Sequence, residues 1–154
     1  MKLPYGLDIF AQGATPYLDY YPDDKYTGGA SRIVLNVYLA DHPISVVIDT
    51  GAPWCVIDPA EINKINNQVS LIHKLDIPFY IRGTAYTGRL YHVPIRLQSS
   101  MGVSLDIEST TFVPDLPTDE EWPHPNFIGL DGFLNRIRFA VDPAKNLFFF
   151  GELR

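Results

Sequence analysis

The residues of this 154-residue chain best suited to chemistry are Asp49-Thr50-Gly51-Ala52, directly behind the apolar run Ile44-Ser45-Val46-Val47-Ile48. A continuous β-branched run reads as a buried strand, and an aspartate at its end takes its proton affinity from its surroundings, which suits acid/base work. Gly51 lets the backbone turn sharply, so that backbone N–H groups stay within reach of the carboxylate. Asp and Gly are also ordinary turn residues. The tripeptide alone therefore reads equally well as a plain strand-to-turn junction, and the rest of the chain has to decide.

Other chemistry-bearing residues are fewer. Cys55 has His42 and His92 as conceivable bases, but nothing local orients a histidine toward it, and a free cysteine ending an apolar stretch is usually a small core residue. His42, His73, His92 and His124 lack the close spacings of a metal site. No metal and no cofactor is expected. The second informative segment is Phe127-Ile128-Gly129-Leu130-Asp131-Gly132-Phe133-Leu134-Asn135-Arg136. Two bulky apolar residues precede a glycine there, which allows close backbone approach beside an apolar strand, and Gly132-Phe133-Leu134 opens a short helical turn.

The elements that must position these residues are mostly strands. Short apolar runs punctuated by turn residues fall at Ile33–Leu39, Ile44–Ile48, Val56-Ile57, Pro78–Ile81, Arg89–Leu97, Val103–Val113, Ile137–Val141 and Leu147–Phe150. Asp142–Asn146 reads as the loop between the last two. Helix is expected at Pro59–Asn66, with Asp58 as N-cap and Pro59 at the first helical position, and briefly at Gly132–Arg136. The spacing predicts a mostly β barrel or sandwich. Residues 1–30 are rich in Tyr, Pro, Gly and Asp, and read as an arm preceding a single domain over 31–154, with Gly28-Gly29 marking the start of regular structure. Its aromatics, among them Tyr5, Phe10, Tyr17 and Tyr26, predict that it packs on its own subunit or on a neighbour. Leu147-Phe148-Phe149-Phe150 is apolar on both strand faces, which means core burial or pairing across a subunit boundary, with the core favoured.

Composition narrows the function classes. The net charge of -6 comes without a Lys/Arg cluster, so nucleic acid is not an expected partner. No apolar stretch approaches a membrane span and no export signal is read at the start, so no membrane partner is expected. One cysteine excludes an intrachain disulfide framework, which fits a cytoplasmic setting.

Taken together, Asp49-Thr50-Gly51-Ala52 behind its strand and Phe127-Ile128-Gly129 with its short helix resemble the retropepsin-like, or retroviral-type, aspartic proteases, as a single-domain member of the bacterial type. The order of pieces matches over residues 32–151: a hairpin, the Asp-Thr-Gly loop, a lid hairpin around 81–93, the apolar-apolar-Gly segment, and closing strands. The resemblance implies a closed β-barrel of the acid-protease type, Asp49 as the catalytic residue, and Thr50, Gly51 and Ala52 as support for its loop. It also implies a lid over the substrate from Gly83, Thr84, Ala85, Tyr86, Thr87 and Gly88, with Phe127, Ile128 and Gly129 as the second motif. Three features depart from the pattern. Pro53-Trp54 follows the loop where smaller or polar residues are usual, the lid has two separated glycines in place of a compact tip, and the acidic, Pro-rich stretch 114–126 has no counterpart in the minimal viral enzymes.

Carboxylate-catalysed peptide hydrolysis needs two carboxylates sharing one proton, one activating water and the other polarising the scissile carbonyl. This chain supplies one, because Asp131-Gly132 lacks a hydroxyl residue between acid and glycine. A homodimer is therefore implied, with a polypeptide as substrate. The competing reading is a catalytically silent protease-like fold serving as a peptide-binding or protein-interaction module.

Overall fold

A computed structural model describes residues 10–23 and 32–153. Tyr5, Tyr26 and Gly28-Gly29 of the expected arm lie outside the described residues. After β1 (Gly13–Pro16), β2 (Val34–Leu39) and β3 (His42–Ile48) pair antiparallel in the register Val34↔Val47 to Leu39↔His42. The chain then runs through β4 (Cys55–Val56) and a short helix α1 (Pro59–Asn63). Asp58 caps α1 as expected, its carboxylate accepting from the Ala60 N–H at 2.9 Å, with Pro59 in the first turn, where its missing N–H costs no hydrogen bond.

Next come the edge strand β5 (Ser70–Lys74), a small hairpin of β6 (Phe79–Ile81) and β7 (Thr84–Tyr86), and the long strands β8 (Gly88–Leu97) and β10 (Leu105–Pro114) flanking a two-residue β9 (Met101–Gly102). β11 (Asn126–Ile128) leads to a 3-10 turn at Leu134–Arg136, and β12 (Ile137–Asp142) and β13 (Leu147–Glu152) close the chain. Strands β10-β4-β11-β3-β2-β8 lie side by side, and β8 pairs back onto β10 from Leu105↔Leu97 to Pro114↔Gly88. The sheet thus closes into a six-stranded barrel, with β5 outside on β8. A second sheet has the order β12-β13-β1-β9.

One expected strand is shorter than its apolar run. The run 103–113 does not continue as one strand: Gly102, at φ 83, brings the chain so close to β1 that a Cβ there would lie 2.2 Å from the Gln12 carbonyl oxygen, and β10 starts only at Leu105. The described part of the arm packs on its own subunit, where β1 lies between β13 and β9, and Tyr17 is buried in the main core. In β13, Phe148 and Phe150 are fully buried, while Leu147 and Phe149 are half-buried on the other face.

The period-2 alternation of the barrel strands feeds two cores. Leu35, Val37 and Val46 point into the main one, together with Ile128 and Phe133. Their neighbours Val34 and Val47 point the other way and join Val56, Ile81, Phe112, Trp122 and Phe127 in a second cluster. That second cluster carries the β6–β7 hairpin. Truncating its fully buried Phe112 to alanine would cost about 3–5 kcal/mol.

Candidate active site

Asp49 sits where β3 leaves the barrel. β11 runs parallel beside β3 in the register Asn126↔Val46, Phe127↔Val47, Ile128↔Ile48, and the Asp49 N–H extends the ladder by donating to the Ile128 carbonyl at 2.9 Å. The chain then turns. Ala52 N–H donates to the Asp49 carbonyl at 3.2 Å, and Gly51 N–H donates to the Asp49 side-chain Oδ1 at 3.0 Å. The carboxylate is therefore aimed by its own loop, with Asp49 half-buried and Thr50 and Gly51 exposed.

The second motif locks that loop from behind. Leu130 N–H donates to the Ala52 carbonyl at 2.7 Å, and Gly132 N–H to the Pro53 carbonyl at 2.9 Å. Gly129 fits beneath the loop only because it has no side chain: a Cβ would lie 2.1 Å from the Trp54 carbonyl oxygen and 2.8 Å from that of Ala52. The structure thus brings Asp49–Ala52 and Phe127–Gly129 together. Asp131 serves the turn that follows, accepting from the Asn135 amide at 3.0 Å.

In front of Asp49 lies a cleft of about 340 Å³. Its floor is Asp49 and the Gly51–Pro53 backbone, its wall Val56 and Phe127, and its roof Phe79 to Arg82. The roof is the β6–β7 hairpin, paired Phe79↔Tyr86, Tyr80↔Ala85 and Ile81↔Thr84, with Arg82 (φ 50) and Gly83 (φ 83) as its two-residue turn. Trp54, one of the two unusual residues after the loop, meets Phe79 with ring centroids 5.2 Å apart, and Phe79 packs edge-on against Phe112 at 5.0 Å. Trp54 therefore helps seat the hairpin.

The expected lid residues divide. Gly83 is in the turn, and Thr84 and Ala85 lie exposed on the returning strand. Tyr86 turns away from the cleft, and Thr87 uses its carbonyl to accept from Asp115 N–H at 2.8 Å. Gly88 belongs to the barrel wall, buried where a Cβ would lie 2.4 Å from the Val113 carbonyl oxygen. The cleft is lined by the outgoing strand, Phe79, Tyr80 and Ile81, and by Arg82 at the turn. The signal was present: an apolar triplet followed by a residue and a glycine is a hairpin with a primed turn, but Arg-Gly is a poor match to the Asn-Gly or Asp-Gly that such turns favour.

Tyr86 ties the hairpin to the 114–126 stretch. Its hydroxyl is 3.0 Å from His124 Nε2, and its ring packs edge-on against Trp122 at 5.0 Å. Arg89 and Asp115 form an ion pair at 3.0 Å beside this contact. Partial burial, and then the Arg82 guanidinium, hold His124 below its ordinary protonation range.

The remaining candidates are otherwise engaged. Cys55 is fully buried, and burial pushes its thiol up to about 11, against a weaker opposing pull from hydrogen bonds with the Gly129 backbone and Thr111. That is the environment of a core residue, not of a nucleophile. His42 is paired with Glu61, with Lys64 Nζ 3.3 Å away, and His92 Nδ1 is 3.7 Å from Glu108. Among the described residues no group of three His, Cys, Asp or Glu is placed to hold a metal, and no helix is long and apolar enough to cross a membrane.

Comparison with solved structures places this architecture. A retropepsin-like aspartic protease from Rickettsia conorii superposes with a TM-score of 0.52 at 13% identity, covering 92% of this chain and 94% of that one. The protease of EIAV in complex with the inhibitor HBY-793 aligns at 20% identity over 71% of this chain and 91% of its own, with a TM-score of 0.44. No protein-family model matches the sequence, and neither does any curated protein sequence. The fold is the closed β-barrel of the retropepsin-like acid proteases.

Proposed function

We propose that this protein is an aspartic endopeptidase that works as a homodimer, hydrolysing peptide bonds in extended polypeptide segments with a water activated between two Asp49 carboxylates. The observation that carries this reading is the setting of Asp49: a carboxylate at a strand end, held by the Gly51 N–H and backed by Gly129, facing a cleft roofed by a hairpin. One ionised Asp49 takes a proton from the water, and its protonated counterpart donates to the scissile carbonyl as the tetrahedral intermediate forms. The carboxyl that took the water's proton then gives it to the amide nitrogen as the C–N bond breaks, while a hydroxyl of the intermediate returns its proton to the other carboxylate, which restores the singly protonated pair. Thr50, exposed beside Asp49, would meet the second copy of the loop in such a dimer. The hairpin would exclude water and offer main-chain groups to an extended peptide.

The test is cleavage of a denatured polypeptide by the purified protein at mildly acidic pH, beside Asp49→Asn. The substitution is expected to reduce the rate by about 10³-fold or more while leaving the folded barrel intact. Equal cleavage by both proteins would overturn the mechanism. No cleavage by either, with peptide binding retained, would favour a silent peptide-binding fold.

A further inference from the structure

Arg82 occupies a position that local preference would give to another residue. A two-residue turn with φ positive at both positions favours Asn-Gly or Asp-Gly, yet the first position here is an arginine at φ 50. Strained residues of this kind gather at ligand clamps and switch regions, and the strain motivates asking what the side chain does. Its guanidinium carbon lies 5.7 Å from the centroid of the Phe127 ring, on the cleft wall beside Asp49. A cation over an aromatic face is held by the ring quadrupole, while the guanidinium donors remain free for other partners. The ion pairs among the described residues do not include Arg82. Its neighbours in the cleft are otherwise largely apolar: Val56, Phe79, Ile81 and Phe127.

A guanidinium held over Phe127 at the edge of a largely apolar cleft, with no ion-pair partner among the described residues, is matched by a carboxylate brought in by the ligand. Arg binds carboxylate by paired, geometrically specific hydrogen bonds. We propose that Arg82 selects substrates carrying an aspartate or glutamate side chain in the subsite beside Asp49, so that the polypeptides this cleft accepts are apolar segments with one acidic residue near the scissile bond. The inference rests on the reading of the cleft as a peptide site.

Binding tests it without requiring turnover. Fluorescein-labelled heptapeptides of apolar residues, carrying one Glu stepped through each position, are titrated by anisotropy against Asp49→Asn, alongside matched sets with Gln or Lys in place of Glu. At one position Glu is expected to bind about tenfold tighter than Gln, and Lys weaker than either. Arg82→Asn, which suits the turn and removes the charge, should erase the Glu advantage, and Arg82→Asp should transfer it to Lys. Equal binding of the three sets at every position overturns the role of Arg82 while leaving the peptide cleft standing. So does a Glu advantage that survives in Arg82→Asn. Failure of every peptide to bind overturns the peptide-cleft reading as well.

Discussion

Gly129 lies directly against the backbone of Trp54, so that a Cβ on Gly129 would sit 2.1 Å from the Trp54 carbonyl oxygen and 2.4 Å from its carbonyl carbon. This contact joins two segments far apart in sequence, because Trp54 follows the loop that begins at Asp49 and Gly129 follows the strand whose Ile128 carbonyl accepts the Asp49 N–H. The obstructing atoms are backbone and cannot swing aside as a side-chain tip would. Gly129→Ala is therefore expected to cost about 3 kcal/mol in denaturant unfolding and to displace the Asp49 loop. Gly83→Ala is the control: a Cβ there meets nothing within 4 Å, and only its φ of +83 opposes the change. It should cost about 1 kcal/mol and leave the barrel unaltered. Equal losses for the two variants would show that the close approach at Gly129 is not what holds the loop.

The same contrast explains how much of the site was legible in the sequence. Asp49-Thr50-Gly51 and Phe127-Ile128-Gly129 carry their own chemistry, an acid beside a turn and a glycine beside apolar bulk, and the structure joins them through β3 and β11. The long strands β8 and β10 were legible because their alternation is strong. β1 was not: Gly13-Ala14-Thr15-Pro16 has poor strand propensity and is strand only because β13 and β9 supply partners on both sides. β5 was missed because an exposed edge strand has little apolar pattern to show, with Ser70, Leu71, His73 and Lys74 all exposed. The exact turn of the cleft's roof was hard to read because it uses arginine where local preference expects asparagine or aspartate.

The contact between Tyr86 and His124 predicts a pH dependence. Burial and Arg82 hold His124 below its ordinary value in the folded protein, so the unfolded chain binds its proton first as pH falls. Its contribution to stability is thus fully present above about pH 6.5 and is lost as pH drops from there through the lower folded-state value. Stability measured by urea unfolding between pH 8 and pH 5 should fall less steeply in His124→Gln than in the unaltered protein. The other histidines and the carboxylates contribute alike to both curves, so the difference isolates His124. Parallel curves would mean that His124 protonates equally easily in the folded and unfolded chains.

The setting of Asp49 also predicts how an inactive copy behaves. One chain brings one such carboxylate to the cleft, since the only other acid-glycine pair of the second motif, Asp131-Gly132, uses its carboxylate to accept from Asn135. If the dyad forms across a two-fold axis, a dimer of one unaltered and one Asp49→Asn chain has one carboxylate and an amide that cannot share its proton. Adding Asp49→Asn chain in ninefold excess, with time for exchange, leaves about a tenth of the unaltered chains paired with each other, so activity should fall about tenfold at constant unaltered protein. Specific activity of the unaltered protein alone should likewise decline on dilution through the dimer dissociation range, checked by analytical ultracentrifugation. A chain whose activity is unaffected by the inactive copy, and which remains monomeric at every concentration, would do its chemistry with a single Asp49, and the symmetric dyad would be wrong.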